Sequence, residues 1–599
     1  MIYHCEDHTC NYWDEGEKLP ERCPQCGRKL LRANEADMTG DDWTALGNTL
    51  WDAEASDKKR MVDCFRKAAY LGSAWGVCNL GICMEQGNGV EADPVQAFWL
   101  YQQAVEMGSL NAVCCLGVCY EYGIGTAPDA KQAAELYCKA AEYGSPRGQM
   151  LLARAFHDGI GVEADAAEAV YWVRAAAYQR YGEGMHRLGV CYEYGDGVEQ
   201  NWEHAVHWFR EAAESGVSAA MTDLGYCYEK GCGVEQSWEQ AFSWYRRGAE
   251  CGYPVSMGNL GWCYKKGHGV EQNWQEAIKW YEQGAQCGDL QSMHNLACCY
   301  EGGEGVEQNE DRAFYWYRRS AEGGNGSAMC NLGRCYKRGY GVEQNWQEAV
   351  KWYEQGAQCG NLQSMHNLAC CYEHGEGVEQ NMTEAIRWYT AAAEGGNADD
   401  MYELGWQYDH GEGVEQDMKK AICWYERAAE QNHPAAMNSL GECYAMGLGV
   451  PRDLETAMEW YRRAAELGEA MADYNMGWHL EQAGKLSEAY THYRKAADGN
   501  DDSAWWALGR FYENGVVVAQ DGKEARRCYE TGEKLGSVKC KMRLARCKLL
   551  GIGGRRAKKA GLDLCRQALE LAKESSEKED YGYEAEMNLL RRTIAENES

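Results

Sequence analysis

Four cysteines near the start of the chain have a spacing that suits a metal ion. They form two pairs separated by twelve residues: Cys5 and Cys10, then Cys23 and Cys26. Two pairs of thiolates can close a tetrahedral zinc site, and Gly27 frees the backbone to direct N–H groups at sulfur. We expect one zinc ion with a structural role, because four protein ligands leave no open position. His4 or His8 could replace one ligand, and four unligated thiols are the simpler alternative.

Two histidines are each followed by a cysteine four residues later, His294 by Cys298 and His366 by Cys370. Side chains with this spacing are neighbours on a helix, and a thiol beside a base is the start of a nucleophilic site. The sequence shows no third group that would orient the base and no donors for an oxyanion. It also lacks a G-x-x-x-x-G-K-[ST] phosphate loop and an H-E-x-x-H zinc helix. We therefore predict that the protein is not an enzyme, and that both histidines line a groove or act as spacers.

The elements that carry these residues recur along the chain. Copies of the word L-G-x-C-Y contain a small residue, called the anchor here, and eleven successive spacings of 36 residues separate twelve anchors. The anchors are Gly81, Gly117, Ala153, Gly189, Gly225, Gly261, Ala297, Gly333, Ala369, Gly405, Gly441 and Gly477. Weaker copies have anchors at Gly47, Gly509 and Ala545. A fixed period of this length predicts a solenoid rather than several globular domains.

Each repeat contains two segments with helical periodicity. In one copy, apolar residues recur at i, i+3, i+4 and i+7 around Leu260 and again around Trp280, so each segment has one buried stripe. Gly267 stands where a helix ends in a left-handed residue, and Asn273 with Glu276 predicts a capping box at the start of the second helix. The same capping pattern begins at Asp165, Ser237, Asn345 and Asn381. Because one hairpin cannot bury its own face, stability must come from stacking.

These motifs resemble the Sel-1-like repeat, a relative of the tetratricopeptide repeat, whose pattern is A-x-x-x-L-G-x-x-Y-x-x-G-x-G-V followed by A-x-x-W-Y-x-x-A-A-x-x-G. The resemblance covers about nine tenths of the chain. It implies an all-α, right-handed α/α superhelical solenoid of about 14–15 helical hairpins. The cysteine-rich start resembles a zinc ribbon, most closely in the C-P-Q-C-G segment that contains Cys23 and Cys26.

We predict three parts from these patterns: a zinc-ribbon-like segment at 1–36, a solenoid at 41–550 and a helical cap at 551–599. The first hairpin, at 41–72, lacks the G-x-G-V loop. The last part contains a polar helical segment, and terminal units of a solenoid need a polar outer face.

The composition restricts partner and compartment. The net charge of −32 makes a nucleic-acid or anionic-membrane binder improbable, because such partners require a basic face. No apolar run reaches the length of a membrane span, and the first residues do not resemble a secretion signal, so we expect a cytoplasmic protein. Ten of the 30 cysteines share one repeat position, two residues after the anchor, which favours small buried thiols over disulfides.

Two sets of residues are candidates for a binding groove. The residue two before the anchor is often asparagine, and in tetratricopeptide proteins that column lines the concave face; the candidates are Asn259, Asn295, Asn331 and Asn367. Their amides can donate and accept, so they either hold the main chain of an extended peptide or bond locally within the hairpin. Cations gather at the ends of the first helices: Lys230, Lys265, Lys266, Arg334, Lys337 and Arg338. They either bind acidic partners or only complement the helix dipole.

The leading functional hypothesis is therefore a non-enzymatic scaffold or adaptor that binds a partner protein or an extended peptide on its concave face. Sel-1-like proteins commonly assemble complexes, and the resemblance implies this role. The alternative is β-lactam binding or hydrolysis, as in cysteine-rich members of the family. Those members are secreted and carry regular cysteine pairs, and this sequence shows neither feature.

Overall fold

The computed structural model describes residues 2–5, 13–15, 30–33, 37–51, 55–578 and 584–598. The chain forms two compact units, Met1–Asn309 and Glu310–Ser599. The first unit begins with three short antiparallel strands, β1 (Ile2–Cys5), β2 (Trp13–Glu15) and β3 (Leu30–Ala33). Their order is β2-β1-β3, with Tyr3 opposite Asp14 on one side and Arg32 on the other.

Helices α1 to α15 follow in the described residues of the first unit. Fourteen of them pair as seven hairpins, from α1–α2 to α13–α14, and each hairpin packs on the next. Their bounds are α1 Gly40–Thr49, α2 Ala55–Tyr70, α3 Ala74–Gln86, α4 Pro94–Glu106, α5 Leu110–Tyr122, α6 Ala130–Glu142, α7 Pro146–Asp158, α8 Ala166–Tyr178, α9 Gly182–Tyr194, α10 Trp202–Glu214, α11 Ser218–Lys230, α12 Trp238–Glu250, α13 Pro254–Lys266, α14 Trp274–Gln286 and α15 Leu290–Gly302.

The described residues of the second unit contain helices α16 to α31, and seven hairpins run from α17–α18 to α29–α30. Their bounds are α16 Glu310–Glu322, α17 Gly326–Arg338, α18 Trp346–Gln358, α19 Leu362–His374, α20 Met382–Glu394, α21 Ala398–His410, α22 Met418–Glu430, α23 Pro434–Met446, α24 Leu454–Glu466, α25 Ala470–Gln482, α26 Leu486–Asp498, α27 Asp502–Asn514, α28 Gly522–Lys534, α29 Val538–Leu550, α30 Lys558–Lys578 and α31 Glu584–Glu598.

The end of the chain extends the last hairpin. Helix α30 packs on α29 as a second helix does elsewhere, and α31 contacts both. Met587 and Leu590 of α31 are buried in the same apolar cluster as Leu549 of α29. The predicted boundary at residue 550 therefore marks the end of a first helix, and the residues after it complete a hairpin before α31 covers it.

The helix starts follow the predicted capping pattern only in part. The Asn273 side chain accepts a hydrogen bond from the Glu276 backbone N–H at 3.1 Å, as predicted. The Glu276 carboxylate, however, pairs with Lys279 one turn later, at 3.2 Å. A capping box with both hydrogen bonds is present at Thr39 and Asp42. Where a lysine follows it, the acid at the third helical position therefore forms a surface ion pair instead of completing the capping box.

The loop inside most repeats has two glycines with different roles. Gly267 ends α13 with a φ of 75°, and its N–H donates to the Cys263 carbonyl, as the sequence predicts. The second loop glycine lies against the preceding hairpin. At Gly377, a Cβ atom would come 2.6 Å from the Trp346 carbonyl oxygen at the start of α18. This glycine therefore sets how closely one hairpin approaches the next.

The core of each hairpin is organised around one aromatic ring beneath the anchor. Tyr245 of α12 is fully buried, and a Cβ atom added to Gly225 of α11 would lie 2.6 Å from its ring. The small anchor therefore makes room for the ring. All ten cysteines of the column two residues after the anchor are buried, which confirms the prediction that they are core residues.

Candidate functional site

Seven of the described hairpins are closed by a hydrogen bond between the first and the second helix. Four residues after its anchor, the first helix carries an acid, which accepts a bond from the buried tyrosine hydroxyl of the second helix; for Tyr245 and Glu229 the distance is 2.8 Å. We call this contact the acid–tyrosine pair. The described pairs join Tyr101 to Glu85, Tyr137 to Glu121, Tyr245 to Glu229, Tyr389 to Glu373, Tyr425 to Asp409, Tyr493 to Glu481 and Tyr529 to Glu513. Burial, and then Glu229, raises the pKa of Tyr245.

The predicted cations Lys265 and Lys337 occupy the acid position of this pair. Lys265 turns instead to Glu304 in the following loop, at 2.9 Å, and its ammonium lies 5.2 Å from the centre of the Trp274 ring. Lys337 makes the corresponding contact with Glu376 at 3.4 Å. Both charges are therefore partly satisfied inside the repeat array. Tyr281, which faces Lys265 in the repeat pattern, has a buried hydroxyl without a hydrogen-bond partner among the described residues.

A second departure occurs in the hairpin α7–α8. Val173 stands where other repeats carry the buried tyrosine, and His157 stands at the acid position. A cavity of about 380 Å³ opens here and is lined by residues of α7, α8, α9 and the following loop. Its floor is buried and apolar, formed by Ala153, Val170 and Val173. The missing ring explains the cavity, because its space is not filled by another side chain.

The rim of this cavity, which we call the Val173 pocket, is charged. His157 contacts Asp158 through Nδ1 at 2.6 Å and Asp196 through Nε2 at 3.2 Å. Arg187 approaches Asp196 at 3.9 Å, and its side chain is 42% exposed. Arg154 is bound by Glu121 of α5, yet its buried Nε has no acceptor among the described residues. The Val173 pocket therefore combines an apolar floor with an unused donor and an accessible rim.

The remaining predicted cations are distributed over both units. Lys230 is exposed and pairs with its neighbour Glu229 at 2.8 Å, and Lys266 is exposed at the end of α13. In the second unit, Arg334 is half-buried, and Arg338 is exposed with its guanidinium 5.9 Å from the Tyr340 ring. Their roles in partner binding stay a prediction.

The asparagine column forms hydrogen bonds between neighbouring first helices. Asn367 donates to Cys330 at 3.3 Å, and the column members Asn79 and Asn475 donate to the preceding first helix in the same way. Asn295 accepts from Gln291 at 3.0 Å, whereas Asn259 is half-buried on α13 and Asn331 half-buried on α17. The bonds of Asn79, Asn367 and Asn475 therefore run from repeat to repeat, an arrangement that we had not predicted, whereas the bond of Asn295 is local, as one of the two alternatives expected.

The two histidine–cysteine pairs are in contact, and one of them has a third member. Sγ of Cys298 lies 3.8 Å from Nε2 of His294, and Sγ of Cys370 lies 3.6 Å from Nε2 of His366. Nδ1 of His366 contacts Asp400 of the next hairpin at 2.7 Å. The expectation that no third group orients the base is therefore wrong for His366. It failed because Asp400 is 34 residues away and reaches the ring from the next repeat.

The predicted zinc ligands Cys10, Cys23 and Cys26 lie outside the described residues, as does the side chain of Cys5. Elsewhere in the described chain, no group of three or more histidine, cysteine, aspartate or glutamate side chains could hold a metal ion. None of the described helices combines the length and apolar character needed to cross a bilayer.

The repeat matches the Sel1 repeat model in thirteen consecutive copies. The matched residues are 76–109, 112–145, 146–181, 182–217, 218–253, 254–289, 290–325, 326–361, 362–397, 398–433, 434–469, 470–501 and 504–537. The chain belongs to the Sel1 repeat family. The resemblance inferred from the sequence is thereby confirmed for the repeats.

Two solved structures illustrate the similarity. This Sel1 repeat protein is 32% identical to a protective antigen of uropathogenic Escherichia coli that displays an SLR fold, over 75% of this chain and 97% of that one, with a TM-score of 0.49. It is 30% identical to a Sel1 repeat protein from Oxalobacter formigenes, over 41% of this chain and 96% of that one, with a TM-score of 0.37. No match to a functionally curated protein was found.

Sequence reasoning missed the Val173 pocket, although the signal was present. Val173 and His157 are departures at two columns that are otherwise rich in tyrosine and acid, respectively. Comparing each column across the repeats would have found both. By contrast, nothing in the pattern around His366 marks Asp400 as its partner.

Proposed function

We propose that this Sel1 repeat protein is a non-enzymatic scaffold that binds an extended segment of a partner protein along its first helices. The observation that carries the proposal is the Val173 pocket. It lies between two successive first helices, and Arg187 on its rim belongs to the column that lines the concave face in tetratricopeptide proteins. Repeat scaffolds gain partners by changing a few residues on an unchanged frame.

The chemistry of the pocket favours one aromatic side chain of the partner. In most of the other hairpins an aromatic ring of the chain itself fills this space, as Tyr245 does beneath Gly225. A volume of about 380 Å³ is at the lower end of ligand pockets, roughly 300–1,000 Å³, and suits a side chain rather than a whole domain. Aromatic anchors in such pockets often dominate binding free energy.

The exposed cations provide a second contact in this proposal. Lys266 is the sharper probe, because Lys265 and Lys337 already have carboxylate partners within the array. Partners with acidic groups would then bind more weakly at higher salt, since exposed charges are screened within about 10 Å at 0.1 M ionic strength.

Peptide selection tests the scaffold without a known partner. Random peptides displayed on phage would be selected against the full chain, and the winners measured by calorimetry. We expect the selected peptides to contain an aromatic residue. Their affinity should fall about tenfold or more, or ~1.4 kcal/mol, for the Val173→Tyr variant, because the new side chain fills the pocket. In the hairpin α19–α20 the anchor is also an alanine, Ala369, and the ring of Tyr389 is buried there, so an alanine anchor tolerates the ring.

The matched control is Phe209→Tyr in the next hairpin, which adds a tyrosine at the same repeat position where Phe209 already fills the space. It should leave affinity unchanged. Failure to select any peptide would contradict the scaffold proposal. Peptides that are indifferent to both Val173→Tyr and Lys266→Glu would contradict the assigned binding surface.

We also propose that Cys5, Cys10, Cys23 and Cys26 hold one structural zinc ion. The spacing of the two cysteine pairs supports this assignment. Elemental analysis of chelator-washed full chain should find one zinc per chain, and none after all four cysteines are changed to serine. Protein that carries no zinc before the washing step would contradict the proposal.

A further inference from the structure

Three side chains from two hairpins meet on the first helices of the second unit. His366 and Cys370 lie one turn apart on α19, with Nε2 and Sγ 3.6 Å apart. Asp400 of α21 contacts Nδ1 of the same ring at 2.7 Å. The Asp400 side chain is fully buried, and its second oxygen has no hydrogen-bond partner among the described residues. A buried carboxylate is costly unless it serves a partner, and His366 is that partner.

The hydrogen-bond directions follow from the chemistry of the groups. An ionised Asp400 can only accept, so Nδ1 of His366 carries a proton and donates it. Nε2 then faces the Cys370 sulfur, either accepting from the thiol or donating to the thiolate. The bonds to Asp400 and then to Cys370 raise the pKa of His366 to about 10. The imidazolium that results when Cys370 gives up its proton is therefore stabilised by both neighbours.

A tyrosine and two acids complete the surroundings. The Tyr389 hydroxyl lies 3.3 Å from the Cys370 sulfur and donates to Glu373 at 2.6 Å. Glu403 of α21 is half-buried nearby, and burial followed by the charge of Glu373 raises its pKa. Asp400, Glu373 and Glu403 outnumber the two histidines beside them, His366 and His374, the latter 3.9 Å from Glu373. A reagent that approaches the sulfur therefore meets a negatively charged surface.

The position of Cys370 within a helix limits the reactions it can perform. Acyl transfer needs donors for an oxyanion, and the backbone N–H groups around residue 370 are used inside α19. Thiol–disulfide exchange has no such need, because the charge stays on sulfur throughout. Its requirements are an accessible sulfur, a means of removing the proton and room for in-line attack. Cys370 is half-buried, unlike the buried Cys371 beside it, so the residue is partly open to solvent.

We propose that Cys370, assisted by His366 and positioned through Asp400, is a reactive thiol that forms mixed disulfides with small neutral or cationic disulfides. The Cys370 sulfur attacks one sulfur of the disulfide; a new S–S bond forms and the old one breaks. The proton moves from Cys370 to Nε2 of His366 and then to the departing thiolate. The disulfide is the oxidant: one half of it stays bound to Cys370 in the mixed disulfide, and the other half leaves as a free thiol.

Rates of modification at individual cysteines test this assignment in the intact protein. The full chain would be treated briefly with cystamine, a cationic disulfide, or with the anionic dithiodipropionate, and the modified cysteines quantified by peptide mass spectrometry. Cys359 is the internal control, because it is exposed and lies in the same unit. Accessibility alone predicts that Cys359 reacts faster than Cys370.

We expect Cys370 to react about tenfold faster than Cys359 with cystamine, a difference of ~1.4 kcal/mol in activation free energy. The rate advantage of Cys370 over Cys359 should be smaller with the anionic dithiodipropionate. Asp400→Asn should remove the advantage at Cys370 and leave Cys359 unchanged, with circular dichroism confirming that the variant is folded. A Cys370 that reacts no faster than Cys359 in the native chain overturns the proposal, as does an unchanged rate in a folded Asp400→Asn protein.

Discussion

Hairpins α11–α12 and α7–α8 occupy equivalent places in the repeat but treat their interior differently. In α11–α12, the Tyr245 ring fills the space beneath Gly225 and its hydroxyl is held by Glu229. In α7–α8, Val173 leaves that space open. The frame of two helices and a glycine loop is the same in both. The hairpin α7–α8 therefore forms without the ring, and the space that the ring leaves becomes a pocket.

The hairpin α13–α14 shows a third outcome. It keeps the ring of Tyr281 but replaces the acid by Lys265, so the hydroxyl is buried without a described partner. The ring and its hydrogen bond can therefore be lost independently. These three hairpins separate the contribution of the ring from that of the hydroxyl.

The largest effect should come from removing the ring of a closed hairpin. Tyr245→Ala deletes a fully buried aromatic side chain, and such truncations cost about 3–5 kcal/mol. Urea denaturation followed by circular dichroism would measure the loss. A cost below that of Tyr245→Phe would contradict the view that the ring closes the hairpin.

Tyr245→Phe should have a smaller effect, about 1–2 kcal/mol, because it removes only the hydrogen bond to Glu229. The pKa of Tyr245 is raised in the folded protein, so the advantage of the native chain is complete below the free tyrosine pKa of about 10. It is lost as the pH rises above that value. The gap between native and Tyr245→Phe stability should therefore stay constant up to about pH 9 and narrow as the pH rises above about 10.

Filling the open hairpin should stabilise it. Val173→Tyr places a ring in an existing cavity, and cavity-filling substitutions commonly add about 0.5–2 kcal/mol. Hydrogen exchange of α7 and α8 amides, compared with those of α11 and α12, would localise the gain. Unchanged exchange in α7 and α8 would show that the cavity is not the space of a missing ring.

The smallest effect is expected for Tyr281→Phe, which removes a hydroxyl that has no described partner. Its stability should stay within about 0.5 kcal/mol of the native value or rise slightly, since no hydrogen bond is lost. The same substitution at Tyr245 provides the contrast under identical denaturation conditions. Equal costs at both tyrosines would rule out the acid–tyrosine pair as the source of the difference.

The sequence predicted the features that depend on local rules. The repeat, the two helices of each copy and the left-handed Gly267 follow from periodicity and glycine chemistry, and the structure contains them. The buried cysteine column followed from its fixed place beside the anchor.

Contacts between repeats were harder to predict. Lys265 meets Glu304 and His366 meets Asp400 across 39 and 34 residues, respectively, and nothing in the local pattern sets these distances. Whether a cation on the first helix is available to a partner depends on such contacts. The predicted groove therefore included the ion-paired Lys265 and missed the pocket beside Arg187.

The second loop glycine, represented by Gly377, also bears on how the gene has grown. Because most repeats meet the preceding hairpin through this glycine, a copied segment of two whole repeats finds matching neighbours at both ends. Residues 273–299 and 345–371 are nearly identical and lie two periods apart, as such a copy would leave them. An insertion that is not a whole number of repeats would shift these glycines out of register with the helix starts that they contact. Selection for intact contacts between the copied repeats and their neighbours would thus favour growth of the chain by whole repeats.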